Sequence, residues 1–544
     1  MTTFLHSLIH NTAEKYPDHI ALSNQKNQTL TYKALSQLVQ HTARSFSFAG
    51  LKRSERVGVF LPKTFETVAS FFGAIQAGGV FVPVNPLLKP PQVSYIANDC
   101  NIRILVTQSQ RLKQISETIQ ECSDLHTIIT LDESNIQQLG HIRVMDWQTF
   151  TNLSSHNVNN ESENPGPATD SEVASILYTS GSTGNPKGVV LSHRNMVVGA
   201  ESVSEYLENT DQDKILAALP FSFDYGLSQL TTAFNVGAQC HIMDYLLPND
   251  IAKAIEKHAI TGLAAVPPLW AQLCKLKWPE GSGTTLRYFT NSGGAMPEAT
   301  LESLRKLFPN ASPYLMYGLT EAFRSSYLPP DQVDKRPTSM GKAIPNAELR
   351  VLREDGSECA PNEPGELVHL GPLVALGYWN AEEKTKERFK PVPQYMPEIK
   401  TPQLAVWSGD TVYKDEDSFL YFVSRKDDMI KTSGYRVSPT EIEEAVYASG
   451  MVTEAAAIGV PHIALGQAIL VIATPAAARA DDHTVPGCNQ KESEEALLRH
   501  CKARLPNFMV PQRVVFLDTL PHNANGKIDR KTLTRMYLEE FQEA

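Results

Sequence analysis

Between about residue 20 and residue 350, short apolar runs alternate with segments whose apolar residues recur at helical spacing, and this alternation constrains the fold more than any other feature of the chain. The segment 4–16 has an amphipathic helical pattern. IALSN (20–24) then reads as a strand and LTYKALSQLVQHTARSFSFAG (30–50) as a helix. ERVGVFLP (55–62) is a strand, and ETVASFFGAIQAGG (66–79) a helix closed by Gly78 and Gly79. A strand–helix–strand alternation predicts βαβ units and a largely parallel sheet. From about Ala347 the texture changes to short strands with turn signals. Beyond residue 436 it becomes a compact α+β pattern: helix EIEEAVYAS, strands EAAAIGV and AILVIATP, helix ESEEALLRHCKARL and strand RVVFLD. The polar stretch 155–171 predicts an exposed loop dividing two α/β subdomains.

At 544 residues the chain exceeds the roughly 250–300 over which one core usually grows, so more than one domain is expected. The net charge of −11 argues against a general nucleic-acid binder, whose affinity rests on clustered Lys and Arg. No run approaches the roughly 20 apolar residues of a membrane span, and the N-terminus lacks a basic segment followed by an apolar block. A cytoplasmic protein without membrane insertion is expected. The seven cysteines are scattered, with no metal-ligand spacing, which predicts free thiols.

The most informative string is Tyr178-Thr179-Ser180-Gly181-Ser182-Thr183-Gly184-Asn185-Pro186-Lys187, directly after the apolar strand ASIL. Glycine and small hydroxyl residues let backbone N–H groups close on phosphate oxygens, and Lys187 adds a positive charge. It is not a Walker A loop, because Pro186 stands where that motif has its second glycine.

This string resembles the phosphate loop of the adenylate-forming superfamily of acyl-CoA synthetases, non-ribosomal peptide synthetase adenylation domains and firefly luciferase. Further landmarks follow in family order: AGGVFVPVNP (77–86), LPFSFDYG (219–226), NSGGAMP (291–297), MYGLTEA (316–322), GELVHLGPLVALGYWN (365–380), WSGDTV (407–412), SRKDDMIKTSGYRVSPTEIE (424–443) and PHNANGKIDR (521–530). The resemblance implies an α/β fold with a large N-terminal domain (1–424) of two α/β subdomains plus a small β layer. A small mobile α+β C-terminal domain (428–544) follows, with a hinge at 425–428. It implies an AMP-forming ligase using ATP and Mg²⁺.

By the same resemblance Thr179, Ser180, Ser182, Thr183 and Lys187 hold phosphates, while Ser292, Gly293 and Gly294 run along the adenine edge. Tyr317 offers an aromatic face beside Gly318, Thr320 a hydroxyl for the α-phosphate and Glu321 a hard oxygen ligand for the metal. Asp410 corresponds to the carboxylate that accepts from the ribose hydroxyls, and Arg425 to a guanidinium on ribose or phosphate. Lys527 corresponds to the lysine that bridges the substrate carboxylate and the α-phosphate during adenylation, and Asp427 to the hinge. Ser424 departs from the family's usual glycine before Arg425.

The acyl-binding positions carry over as Asp224, Tyr225, Ser228, Ala265, Phe289, Asn291, Met316, Arg324 and Ser325. Amino-acid-activating members have Phe-Asp where this chain has Phe223-Asp224, and a buried carboxylate lacking a cationic partner is costly, so a ligand amine is expected at Asp224. Its alternative is capping of the following helix. Four bulky residues predict a short cavity. Arg324 either fills space above a tiny substrate such as glycine or pairs a second carboxylate on an acidic or β-amino acid. The chain is most similar to stand-alone amino-acid–carrier protein ligases, such as the glycine–carrier protein ligase of lipid A glycinylation. The expected acceptor is therefore the phosphopantetheine thiol of a separate carrier protein. A small- or medium-chain acid–CoA ligase is the rival reading, with CoA as acceptor.

Overall fold

The computed structural model describes residues 2–156, 166–179, 186–279, 281–392, 398–425, 429–432, 435–462, 465–476, 490–523, 526–538 and 540–541. Ser180, Ser182, Thr183 and Asp427 lie outside these residues. The predicted alternation is present. Helices Tyr32–Phe48 and Phe65–Gln76 follow strands Ile20–Asn24 and Arg56–Val59, and their N-caps Thr31 and Thr64 accept the N–H of Ala34 and Thr67, each capping one orphan donor of the first turn. Gly73 lets the two helices meet, since a Cβ there would stand 2.8 Å from Thr42.

Three sheets organise the described residues. The first has nine strands, built around parallel Arg56–Val59, Val80–Pro83, Ile102–Thr107 and Thr127–Thr130, with Val173–Thr179 parallel on one flank. The second runs parallel through Gln239–Ile242, Lys214–Ala217, Gly262–Ala265, Tyr288–Asn291 and Ser312–Tyr317. It then continues antiparallel through Ser326–Leu328 and Ser339–Ala343 into Leu420–Arg425, Leu404–Lys414, Gly365–Leu370 and Glu348–Leu352. The third is a five-stranded sheet between residues 430 and 516, with helices Pro439–Tyr447 and Gln490–Arg504. The protein thus has a large N-terminal α/β domain and a small C-terminal α+β domain, as expected.

Two sequence expectations are corrected, the dividing loop and the start of the small β layer. The stretch 155–171 does not divide the subdomains, because Val173–Thr179 beyond it pairs with Val80–Pro83, Ser175 opposite Phe81. The N-terminal strand Ile20–Asn24 belongs to the second sheet, parallel to Gln239–Ile242 with Leu22 opposite Cys240. Strand partners are chosen by which apolar edges meet across the core, a long-range choice that local polarity does not report. The small β layer likewise begins before Ala347, because Ser339–Ala343 already joins both halves of the second sheet.

Candidate active site

In a parallel sheet, residues at the carboxyl ends of strands and in the loops just after them form the natural ligand crevice. Here Tyr288–Asn291 delivers Asn291, Ser292, Gly293 and Gly294 to that edge, and the neighbouring Ser312–Tyr317 delivers Met316, Tyr317 and Gly318. A 3₁₀ turn, Thr320–Ala322, follows and carries Glu321. Phe323 then takes φ +53° and ψ −61°, the strained γ-turn conformation, with the Arg324 N–H donating to the Ala322 carbonyl at 2.7 Å. This reversal sends Glu321 and Arg324 to different neighbours, and the Phe323 ring fills the space left by Gly199, where a Cβ would lie 2.3 Å from it.

The Tyr317 hydroxyl donates to the carboxylate of Asp410, which is 2 % exposed and also accepts from Arg425 Nε at 3.0 Å. Burial and the adjacent Asp410 hold the Tyr317 hydroxyl well above its ordinary range. Glu321 Oε1 accepts from the Tyr378 hydroxyl at 2.6 Å, and Lys187 Nζ lies 5.1 Å from the centre of the same tyrosine ring. Thr320 is buried, and Thr179 ends its strand half-buried.

Lys527 of the C-terminal domain reaches this edge. Its Nζ stands 5.6 Å from the Phe223 ring, and its Cε would be 3.0 Å from a Cβ on Gly293, whose φ of +84° also demands glycine. Burial lowers the Lys527 pKa, helped by Arg425, while Asp224, Asp410 and Glu321 pull it back up. A turn holds its backbone: Gly526 donates to the Asn523 carbonyl, and the Lys527 N–H to Asn523 Oδ1 at 3.1 Å.

Asp224 opens the helix Asp224–Val236 and is 3 % exposed. Its carboxylate is not without a cation, which corrects the premise that only a ligand amine could offset its burial. Arg324 Nη1 lies 3.6 Å from Asp224 Oδ2, Arg324 Nη2 donates to Ser228 Oγ at 2.9 Å, and the guanidinium sits 4.5 Å from the centre of the Tyr225 ring. Burial raises the Asp224 pKa, and Arg324 and then Lys527 oppose that rise. The alternative of helix capping is only partly met: Asp224 is the first helical residue, and Phe223 occupies the cap without a side-chain bond. Arg324 thus answers to Asp224, a partner the sequence did not suggest. Tyr225 OH and Thr290 Oγ1 share a 2.5 Å hydrogen bond, Phe289 packs on Trp270, and Met316 accepts from Tyr206 OH. Buried Asn291 donates to the Gly294 carbonyl at 3.0 Å, and its Oδ1 has no partner among the described residues.

Three neighbours of the site carry no signal in the sequence that would have singled them out. Tyr378 lies within the GELVHLGPLVALGYWN segment, where spacing alone assigns it no role. Arg388 lies over Gly409, its Nη1 2.6 Å from where a Cβ there would be. His369, 2 % exposed, stacks on Tyr317 with neither ring nitrogen partnered among the described residues, and burial pushes its pKa down to about 3. Each of the three meets the site through strand pairing or a helix end.

Tyr317, Glu321, Asp410 and Lys527 thus meet around one crevice. Residues 9–379 match the model described as AMP-binding enzyme, and residues 441–527 match the AMP-binding enzyme C-terminal domain. The chain belongs to the AMP-binding enzyme family. This AMP-binding enzyme is 28% identical to the long-chain-fatty-acid–CoA ligase of Salmonella typhimurium over 97% of its own length and 93% of that protein. It is 28% identical to a part of one surfactin synthase polypeptide of Bacillus subtilis, spanning 97% of this chain and 14% of that protein. Among solved structures, ATP-bound MatB from Rhodopseudomonas palustris superposes with a TM-score of 0.81 at 23% identity, covering 98% of this chain and 99% of that one. That likeness extends to the fold. The protein is an adenylate-forming, AMP-forming ligase, and among the described residues no helix is long and apolar enough to cross a membrane.

Proposed function

We propose that this enzyme activates a small carboxylic acid, an amino acid with glycine favoured, and passes the acyl group to the phosphopantetheine thiol of a separate carrier protein. The observation that carries the size limit is the buried Arg324–Asp224 pair, fixed by Ser228 and Tyr225 across the acyl side. A long chain would have to displace a paired charge. The unpartnered Asn291 Oδ1 and the second Asp224 oxygen offer acceptors for an ammonium. An acidic substrate would compete with Asp224 for Arg324, so the acidic reading is the weaker one.

The residues suit a magnesium nucleotide. Glu321 presents one carboxylate, and Mg²⁺ is commonly held by one or two carboxylates plus substrate phosphates and water. When bound, the metal neutralises phosphate charge. Tyr317 and the Gly293–Gly294 backbone would flank adenine, Asp410 would accept from ribose hydroxyls and Lys187 would contact phosphate. Lys527 stands beside Gly293 and Phe223, within electrostatic reach of Asp224, Asp410 and Glu321. There it stabilises charge as a substrate carboxylate oxygen bonds to the α-phosphorus and pyrophosphate leaves. The C-terminal domain (428–544) then rotates about Asp427 at the 425–428 hinge, withdrawing Lys527. The thiol sulfur bonds to the acyl carbon and AMP departs.

A second reading, a small-acid–CoA ligase, is favoured by the CoA-ligase relative that aligns end to end and by Arg324, which leaves Asp224 no need of a ligand amine. Substrate-dependent pyrophosphate exchange with all proteinogenic amino acids, acetate, β-alanine and octanoate tests the proposal. Glycine should lead. Acetate leading would favour the small-acid–CoA reading, and octanoate exceeding every amino acid would overturn the amino-acid proposal and return the chain to the fatty acyl ligases.

A further inference from the structure

The tyrosine that ends the short strand Gly377–Tyr378 touches two groups that come from different sheets. Its strand pairs antiparallel with Lys187–Ser192, Tyr378 opposite Val189, and so belongs to the first sheet. Glu321 lies in the turn after Ser312–Tyr317, in the second. The Tyr378 hydroxyl donates to Glu321 Oε1 at 2.6 Å, the face of its ring lies 5.1 Å from Lys187 Nζ, and the ring packs edge-on against Phe389 at 5.6 Å. The backbone is tied at the same place: Ala375 N–H donates to the Glu321 carbonyl at 2.8 Å, and Trp379 N–H to that of Gly188 at 2.8 Å.

A carboxylate with one oxygen committed to a tyrosine hydroxyl cannot rotate freely, so its other oxygen is presented in one direction. A lysine over the same ring is held by cation–π attraction without losing any of its N–H donors, which remain available to a phosphate. We propose that Tyr378 is a positioning residue that sets Glu321 and Lys187 together, coupling the metal-binding carboxylate to the phosphate-binding cation across the seam between the two sheets. This rests on reading Glu321 as the Mg²⁺ ligand. The hydroxyl serves the metal, and the ring serves the phosphate contact.

The test is direct binding of ATP to the full chain, by calorimetry, over a series of Mg²⁺ concentrations and in excess EDTA. Tyr378→Phe removes one oxygen and keeps the ring on Phe389, so the fold should persist with a melting temperature close to wild type. The Mg²⁺ concentration that half-saturates the enhancement of ATP binding should rise roughly tenfold, as expected for losing a hydrogen bond to a charged group, while affinity in EDTA stays unchanged. Tyr378→Leu, which also removes the ring, should weaken ATP binding in EDTA as well. Unaltered Mg²⁺ dependence in Tyr378→Phe would overturn the proposal, and so would an equal loss with and without Mg²⁺. Glu321→Gln separates the underlying reading: if that variant retains the wild-type Mg²⁺ dependence, Glu321 is not the ligand and the premise itself fails. If Glu321→Gln loses it and Tyr378→Phe does not, only the positioning role falls.

Discussion

Lys527 and Arg324 are cations in the same crevice with opposite bonding. Among the described residues Lys527 has no hydrogen-bonded carboxylate; burial depresses its pKa, and the charges of Asp224, Asp410 and Glu321 only partly restore it. Such a lysine gains most when a substrate carboxylate and an α-phosphate arrive together, which is when charge builds up in the reaction. Lys527→Ala should therefore reduce adenylation about 10²–10³-fold with an unchanged melting temperature, read by pyrophosphate exchange. Unchanged exchange would remove Lys527 from the chemistry. Arg324 is already paired. Arg324→Ala strands the Asp224 carboxylate in a buried site, and breaking one side of such a pair costs about 3–5 kcal/mol; the 3.6 Å separation places this case toward the low end. Denaturant unfolding should show that loss, and the double variant Asp224→Asn/Arg324→Gln should recover much of it. The same single variant should extend exchange activity to alanine and serine while glycine is largely retained. If alanine and serine stay excluded, the pair does not limit substrate size.

At the scale of elements, the N-terminal helix Ser7–Lys15 docks through histidines. His193, the first residue of the helix His193–Tyr206, accepts the Leu5 N–H at 3.1 Å, and the His6 ring lies 6.2 Å from His193 and 5.8 Å from His10. Burial lowers His6 to about 3, with His193 and then His10 adding repulsion, and burial lowers His193 to about 4 against the pull of Glu172 and Asp170. Both folded-state values lie below the ordinary 6.5, so from pH 6.5 down to 3–4 the unfolded chain binds protons that the folded chain does not. Stability from these groups is complete above pH 6.5 and is lost across that window, on the order of a few kcal/mol in total. The melting temperature should fall between pH 7 and pH 5, and His6→Phe should flatten that slope. An identical slope in the variant would show that the loss arises elsewhere.

For the whole molecule, the placement of Lys527 against Gly293 means that the small domain is docked on the crevice it serves. Under the proposed function the thiol would have to enter where Lys527 now stands, which would separate the two half-reactions by conformation. Asp427→Pro, which fixes φ at the proposed hinge, should leave pyrophosphate exchange near wild type and slow transfer to carrier or CoA at least tenfold. Equal loss in both would place the hinge elsewhere.

Much of this was legible along the chain. The alternation of periods declared parallel α/β architecture, because a strand buried on both faces and a one-sided helix have different apolar spacing. The ordered motifs fixed the family and brought Tyr317, Glu321, Asp410 and Lys527 forward, because the short loops at strand ends keep their chemistry within a few residues. What the tertiary structure decided was partnership. Strand Ile20–Asn24 crosses to the second sheet, Val173–Thr179 returns to the first, Arg324 finds Asp224, and Tyr378 finds Glu321. Those pairs are separated by 57 to about 220 residues and form because packing brings their edges together. No periodicity within one segment encodes which distant charge or edge it will meet.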